Sequence, residues 1–131
     1  VTTDRGASIS TALTLLFPVL LLAGGLAVDG AVQARAASWA HAVASTASRS
    51  GCEAASGRHL AGDPVGPEAG RAEALRTASE LLDAQGRATV NRTGPRLVVE
   101  VTVSRPTVVL GVVGLRRVRG TASASCALSP R

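Results

Sequence analysis

The sequence predicts an α+β protein with a long N-terminal helix, first transmembrane and then amphipathic, a second short helix and a small antiparallel β-sheet. Three observations carry this reading. No ionisable side chain occurs in residues 6–28, residues 30–50 are rich in Ala and free of Pro, and from residue 97 the apolar period changes to two. The expected organisation is a transmembrane helix in residues 1–29, its amphipathic continuation in 30–50, a linker in 51–66 and a small extracytoplasmic α+β domain in 67–131.

The uncharged run spans about 23 residues, against the roughly 20 that a helix needs to cross a hydrocarbon core. Leu13, Leu15, Leu16, Phe17, Val19, Leu20, Leu21, Leu22 and Leu26 each favour insertion and outweigh the interspersed Ser, Thr and Gly. A cleaved secretory signal is the rival reading. Its apolar stretch is normally only about 7–15 residues behind a positive start, whereas here Asp4 offsets Arg5. Val1 in place of Met fits either removal of a leader or a start codon read literally. Pro18 removes one backbone hydrogen bond and crowds the carbonyl of Thr14, so a kink is expected there, with Gly24 and Gly25 as a second soft point. Gly6, Ser10 and Thr14 recur every four residues and form a small-residue stripe that lets another helix approach. Arg5 before the span against Arg35 and Arg49 after it leaves orientation undecided by charge.

Beyond Asp29, the residues Val28, Val32, Ala36, Trp39, Val43 and Ala47 step by three or four and predict one apolar face. The helix is expected to run over 8–48 and to stop at Gly51. Trp39, about 15 Å past Asp29 at 1.5 Å per residue, is expected to pack against the folded domain. Pro67 suits the first turn of a second helix over 67–85, where Leu75, Ala78 and Leu82 share a face. Arg76 and Glu80 form an i,i+4 pair there, and Gly86 is the expected stop. Strands are expected near 88–91, 97–104 and 118–128. In the second, Leu97, Val99, Val101 and Val103 oppose Glu100, Thr102 and Ser104; in the third, Val118, Ala122, Ala124, Cys126 and Leu128 share a face. Residues 107–115, broken by Gly111 and Gly114, admit two readings. They form either another buried strand or an exposed apolar tip that touches membrane or a partner through Val108, Val109, Leu110, Val112, Val113 and Leu115.

All 14 basic residues are Arg, and the net charge is +5. The arginines are scattered among nine acids with only Trp39 and Phe17 as aromatics, so no nucleic-acid partner is expected. His41 and His59 have no second ligand at metal spacing, and Glu53, Asp63, Glu68, Glu73, Glu80 and Asp83 read as a solvated face. No phosphate loop or nucleophile motif occurs, so no catalytic residue, cofactor, metal or small-molecule substrate is expected. Outside the cytoplasm the two cysteines, Cys52 and Cys126, are most simply one disulfide, which argues for an exported C-terminal part.

One apolar N-terminal helix that continues onto a small strand-bearing domain is the plan of a type IV pilin-like subunit. The stretch "DRGASISTALTLLFPVLLLAGGLAVDGAVQARAASWAHAVASTA" resembles the N-terminal region of TadE/TadG-like proteins of Tad (Flp-type) pilus systems, through Arg5, Gly6, Pro18, Gly25, Leu26, Asp29 and Arg35. The closing "GTASASCAL" resembles their end strand. Many of these proteins carry a Glu where Thr11 stands here, which implies a minor or accessory subunit rather than a major pilin. The Arg-only basic set and the wealth of Ala, Gly and Val suit a high-GC, actinobacterial source. The resemblance implies a minor pseudopilin held in the inner membrane by lipid contacts, with pilin or Tad-system subunits as partners. Gly6, Ser10, Thr14, Pro18, Leu22, Gly25 and Asp29 would then serve helix packing. Further expectations are a single pass through the bacterial cytoplasmic membrane, the C-terminal domain outside, and possible entry into an extracellular filament.

Overall fold

A single helix, α1 (Asp4–Leu60), is the axis of the protein. The computed structural model describes residues 4–62 and 64–128, with side-chain surroundings from Ser10 onward. After α1 come α2 (Gly66–Leu81), β1 (Gly86–Thr93), β2 (Arg96–Pro106), a 3-10 turn (Leu110–Val113) and β3 (Arg117–Ala127). The strands form an antiparallel meander in the order β1-β2-β3. The expected α+β class is the one observed.

The period of two decides which face of the sheet is buried. Leu97, Val99, Val101 and Val103 of β2 and Val90 of β1 are fully or almost fully covered, with Ala122, Ala124 and Cys126 of β3 packed at the margin. Opposite them lie Ala36, Ala40, Val43, Ala44 and Ala47 of α1 and Ala74 and Ala78 of α2. The core has no aromatic side chain, so its closeness comes from small residues. At Gly120 an added Cβ would lie 2.2 Å from the Ala37 nitrogen, and at Gly70 one would lie 2.5 Å from the Gly51 carbonyl oxygen. Backbone therefore rests on backbone at both crossings.

Several expected boundaries shift. The helix does not stop at Gly51 but continues to Leu60, so most of the expected 51–66 linker is helical. Gly51 serves close approach instead, because a Cβ there would meet the Gly70 carbonyl, the Leu97 side chain and Ala74 within 3 Å. The second helix ends at Leu81 rather than 85. Leu82 is extended, and Asp83 turns the chain by accepting from the Gln85 N–H at 3.0 Å. Gly86 opens β1, against Leu82, and does not cap a helix. The face expected on α1 is also rotated: Ala36, Val43 and Ala47 are buried, but Val28 and Trp39 are exposed while Ala40 and Ala44 take the inner places. Gly120 brings the sheet so near that only methyl-sized groups fit between, and Trp39 is left outside, 44% exposed. The expected Arg76–Glu80 pair forms, and Arg76 also holds Glu73.

At the α2–β1 corner, Arg105 Nη1 donates to Asp83 Oδ2 at 2.7 Å. This contact, followed by the Gln85 N–H, holds the Asp83 carboxyl below its ordinary value of 3.8. A carboxyl with a lowered pKa binds its proton less readily folded than unfolded. Its contribution to stability is complete above pH 3.8 and is lost as pH falls through the folded value. The urea midpoint of the detergent-solubilised protein is thus expected to hold from neutral pH to about pH 5 and decline below about pH 4. Asp83→Asn should flatten part of that acid slope; an unchanged slope would show that the contact contributes nothing.

Candidate functional site

A buried carboxylate marks the place where the apolar run ends. Asp29 is 1% exposed although it closes a stretch of helix whose large side chains point away from the protein. Burying an ionised carboxylate without partners is prohibitive. Three backbone donors meet it here: the N–H groups of Val108, Val109 and Leu110 approach the Asp29 oxygens at 2.7, 3.1 and 2.6 Å. Charge-assisted bonds of this kind are the strong class, and they satisfy the start of the 3-10 turn. One helical turn earlier, Val109 lies directly over Gly25, where an added Cβ would fall 2.4 Å from Val109 Cγ1. Gly25 and Asp29 together make a socket for the loop between β2 and β3.

The loop is internally braced. Thr107 N–H donates to the Arg116 carbonyl at 3.1 Å, Leu115 N–H to the Leu110 carbonyl at 3.0 Å, and Thr107 Oγ1 to the Leu115 carbonyl. Gly114 sits at φ 92°, a left-handed conformation that Gly adopts without the Cβ clash. Of the two readings for residues 107–115, the buried strand is incorrect. The segment turns over at a 3-10 turn because the Asp29 carboxylate takes the amides that a neighbouring strand would have used. Val109 and Leu110 are half-buried anchors, whereas Val108, Val112, Val113 and Leu115 are 58–89% exposed.

The expected helix-packing residues fall into two groups. Gly25 and Asp29 are covered by the chain's own loop. Ser10, Thr14, Pro18 and Leu22 face outward with no cover from the folded domain, and the surroundings of Gly6 lie outside the described residues. The helix continues through Pro18, and the Thr14 hydroxyl donates to the Ser10 carbonyl at 2.8 Å. From Leu13 to Leu26 nine large apolar side chains are 53–68% exposed. That helix is long and apolar enough to cross a membrane, with mean hydropathy 2.2 over its most apolar window.

At the other end of the domain Cys52 and Cys126 form a disulfide, with Cα atoms 6.3 Å apart. It fastens the C-terminal strand to α1, next to the crossing of Gly51 and Gly70. His41 and His59 are both exposed, and among the described residues no three His, Cys, Asp or Glu side chains converge as metal ligands. Asp63 lies outside the described residues. α1 is thus gripped at Asp29 by a loop and at Cys52 by a covalent bond, with the sheet between.

The sequence marked Asp29 as an element of the resemblance and the loop as an ambiguous apolar run, but did not join them. The available signal was an acid at the boundary of an uncharged run. A scan against protein-family models, a search of curated proteins and a search of solved structures each found no match.

Proposed function

We propose that this chain is a single-pass envelope protein of the TadE/TadG-like class, acting as a minor pseudopilin or assembly subunit of a Tad-type pilus or related secretion machine. The observation that carries the reading is the division of one 57-residue helix. Its first part exposes apolar side chains on every side, and its second part is the packed spine of a disulfide-closed domain. A subunit that is stored in a membrane and then packs its helix against others needs these two parts on one rod. The match at Arg5, Gly6, Pro18, Gly25, Leu26, Asp29 and Arg35 supports the class. The disulfide supports a domain outside the cytoplasmic membrane. The role is structural and not catalytic: the outward row of Ser10, Thr14, Pro18 and Leu22 offers close approach to other pilin or Tad-system helices, and lipid covers the remainder.

The rival reading is a secreted binding module whose apolar segment is removed as a signal. Cleavage near Ala36 would take away Asp29, release the loop and strip helix backbone from Gly120, so the architecture favours retention. A membrane-anchored accessory protein unrelated to pili shares the same anchor and is separated only by a piliation assay. Intact mass and N-terminal sequencing of native protein from membrane and culture fractions test the anchor. A membrane-held species containing residues 9–28 is expected, and a soluble species beginning after Gly30 would overturn the reading. Ser10→Leu, which keeps the span apolar but blocks close approach, is expected to abolish piliation at unchanged membrane level. Normal piliation would remove the proposed assembly face.

A further inference from the structure

We infer that the loop between β2 and β3 is a second membrane contact, an interfacial foot that rests on anionic lipid and sets the tilt of the helix and its domain on the membrane. The inference rests on the membrane anchor proposed above and not on the pilus assignment.

Its position along α1 comes first. Val109 seats on Gly25 and the loop amides bind Asp29, so the foot lies alongside the last turn of the apolar run. Gly25 is about 6 Å along the helix axis inside Asp29. When residues 9–28 fill the hydrocarbon, the loop straddles its edge: Val109 on Gly25 lies within it, and the amides at Asp29 reach the interfacial layer that adds about 5–7 Å on each side. Val108, Val112, Val113 and Leu115 point away from the protein there, with Val112 89% exposed. They continue the apolar surface of the span sideways.

Charge identifies the occupant. Arg116 and Arg117 follow the loop directly, and on the open face of the same end of the sheet Arg87, Arg117 and Arg119 line a cleft of about 430 Å³. Among the described residues no carboxylate is paired with any of these four. An apolar tip followed at once by guanidinium groups without carboxylate partners, beside the end of an apolar helix, matches a surface of acyl chains beneath anionic phosphates. A partner protein would need an apolar socket rimmed by acids.

Asp29 determines whether the foot stays down. Its carboxylate holds the amides of Val108, Val109 and Leu110 toward the helix, and Val108, Val112, Val113 and Leu115 are left exposed. Two contacts with the bilayer, the span and the foot, fix the tilt of the helix and its domain against the membrane plane, while the whole protein still turns freely about the membrane normal.

The test uses the full chain reconstituted in vesicles of phosphatidylcholine, alone or mixed with phosphatidylglycerol. The native cysteines are joined, so an environment-sensitive fluorophore can be placed at Val112→Cys, with Leu20→Cys in the span and Asn91→Cys on β1 as references. The Val112 label should be quenched severalfold more than the Asn91 label by a shallow lipid-borne nitroxide, and more strongly when phosphatidylglycerol is present. Adding Asp29→Asn should release the Val112 label while the Leu20 label stays quenched by a second nitroxide carried deep in the acyl chains. Arg116→Gln with Arg117→Gln should remove the dependence on phosphatidylglycerol. An unquenched Val112 label beside a quenched Leu20 label would overturn the foot and leave the anchor standing. Shielding of Val112 that grows with the protein-to-lipid ratio would overturn it in favour of contact between copies. An unquenched Leu20 label would overturn the anchor and the foot together.

Discussion

Opening the Cys52–Cys126 bond is expected to lower the stability of the folded domain by about 4 kcal/mol. The two residues are 74 apart, so the unlinked chain regains the freedom of a long loop that contains α2 and all three strands. A domain of this size has only about 5–15 kcal/mol to lose. Its core lacks aromatic side chains and depends on Val, Leu and Ala contacts that each contribute little. The bond adds a covalent tie to α1 at the end of β3, where the ladder to β2 pairs Arg96 with Ala127 and the Leu128 N–H donates to the Pro95 carbonyl at 2.6 Å. Urea titration in detergent micelles, with and without reductant, measures the effect. A fall in midpoint on the order of 2 M is expected on reduction, and the same fall for Cys52→Ala with Cys126→Ala. Equal midpoints for linked and unlinked chains would show that the sheet is held by packing alone.

Gly120→Ala is expected to cost about 3 kcal/mol, at the upper end of overpacking losses, although only one methyl group is added. The new carbon would fall 2.2 Å from the Ala37 nitrogen and 2.4 Å from the Ala36 carbonyl carbon. Both are helix backbone, which has no rotamer to yield. The strand must therefore lift from α1, and Val103, the register partner of Gly120, loses its cover together with Ala36 and Ala40. Gly57→Ala is the counterpart, on the same helix with no atom within 4 Å, and should gain up to about 1 kcal/mol from helix propensity. Opposite signs at these two glycines are the expected result in one urea series. A neutral Gly120→Ala would mean that the helix and sheet are not in backbone contact in solution.

The particular elements show which information is local. The apolar run is legible because the absence of charge over residues 6–28 is a property of the run itself. The faces of β2 and β3 are legible because alternation needs only neighbouring residues, and the observed burial follows it. The end of α1 was not legible. Gly51 has the local signature of a helix stop, but it sits inside the helix because Gly70 of α2 presses against it. Trp39 occupied the expected apolar face, yet the nearness of β3 gave that face to alanines. The grip of Asp29 on Val108, Val109 and Leu110 joins residues 79–81 positions apart, which no periodicity encodes.

By itself the sequence determined the apolar rod, the helix that continues it, the strands of the sheet and the pairing of its only two cysteines. Each follows from composition, period or count, and these act over a few residues at a time or need no distance at all. Only the tertiary structure decided which glycines serve approach rather than termination, which side of α1 meets the sheet, and that the apolar loop is fastened to the end of the apolar run. Those outcomes depend on how closely two backbones can come and on where a buried carboxylate finds its donors. Such distances exist only once the helix, the sheet and the loop are folded against one another.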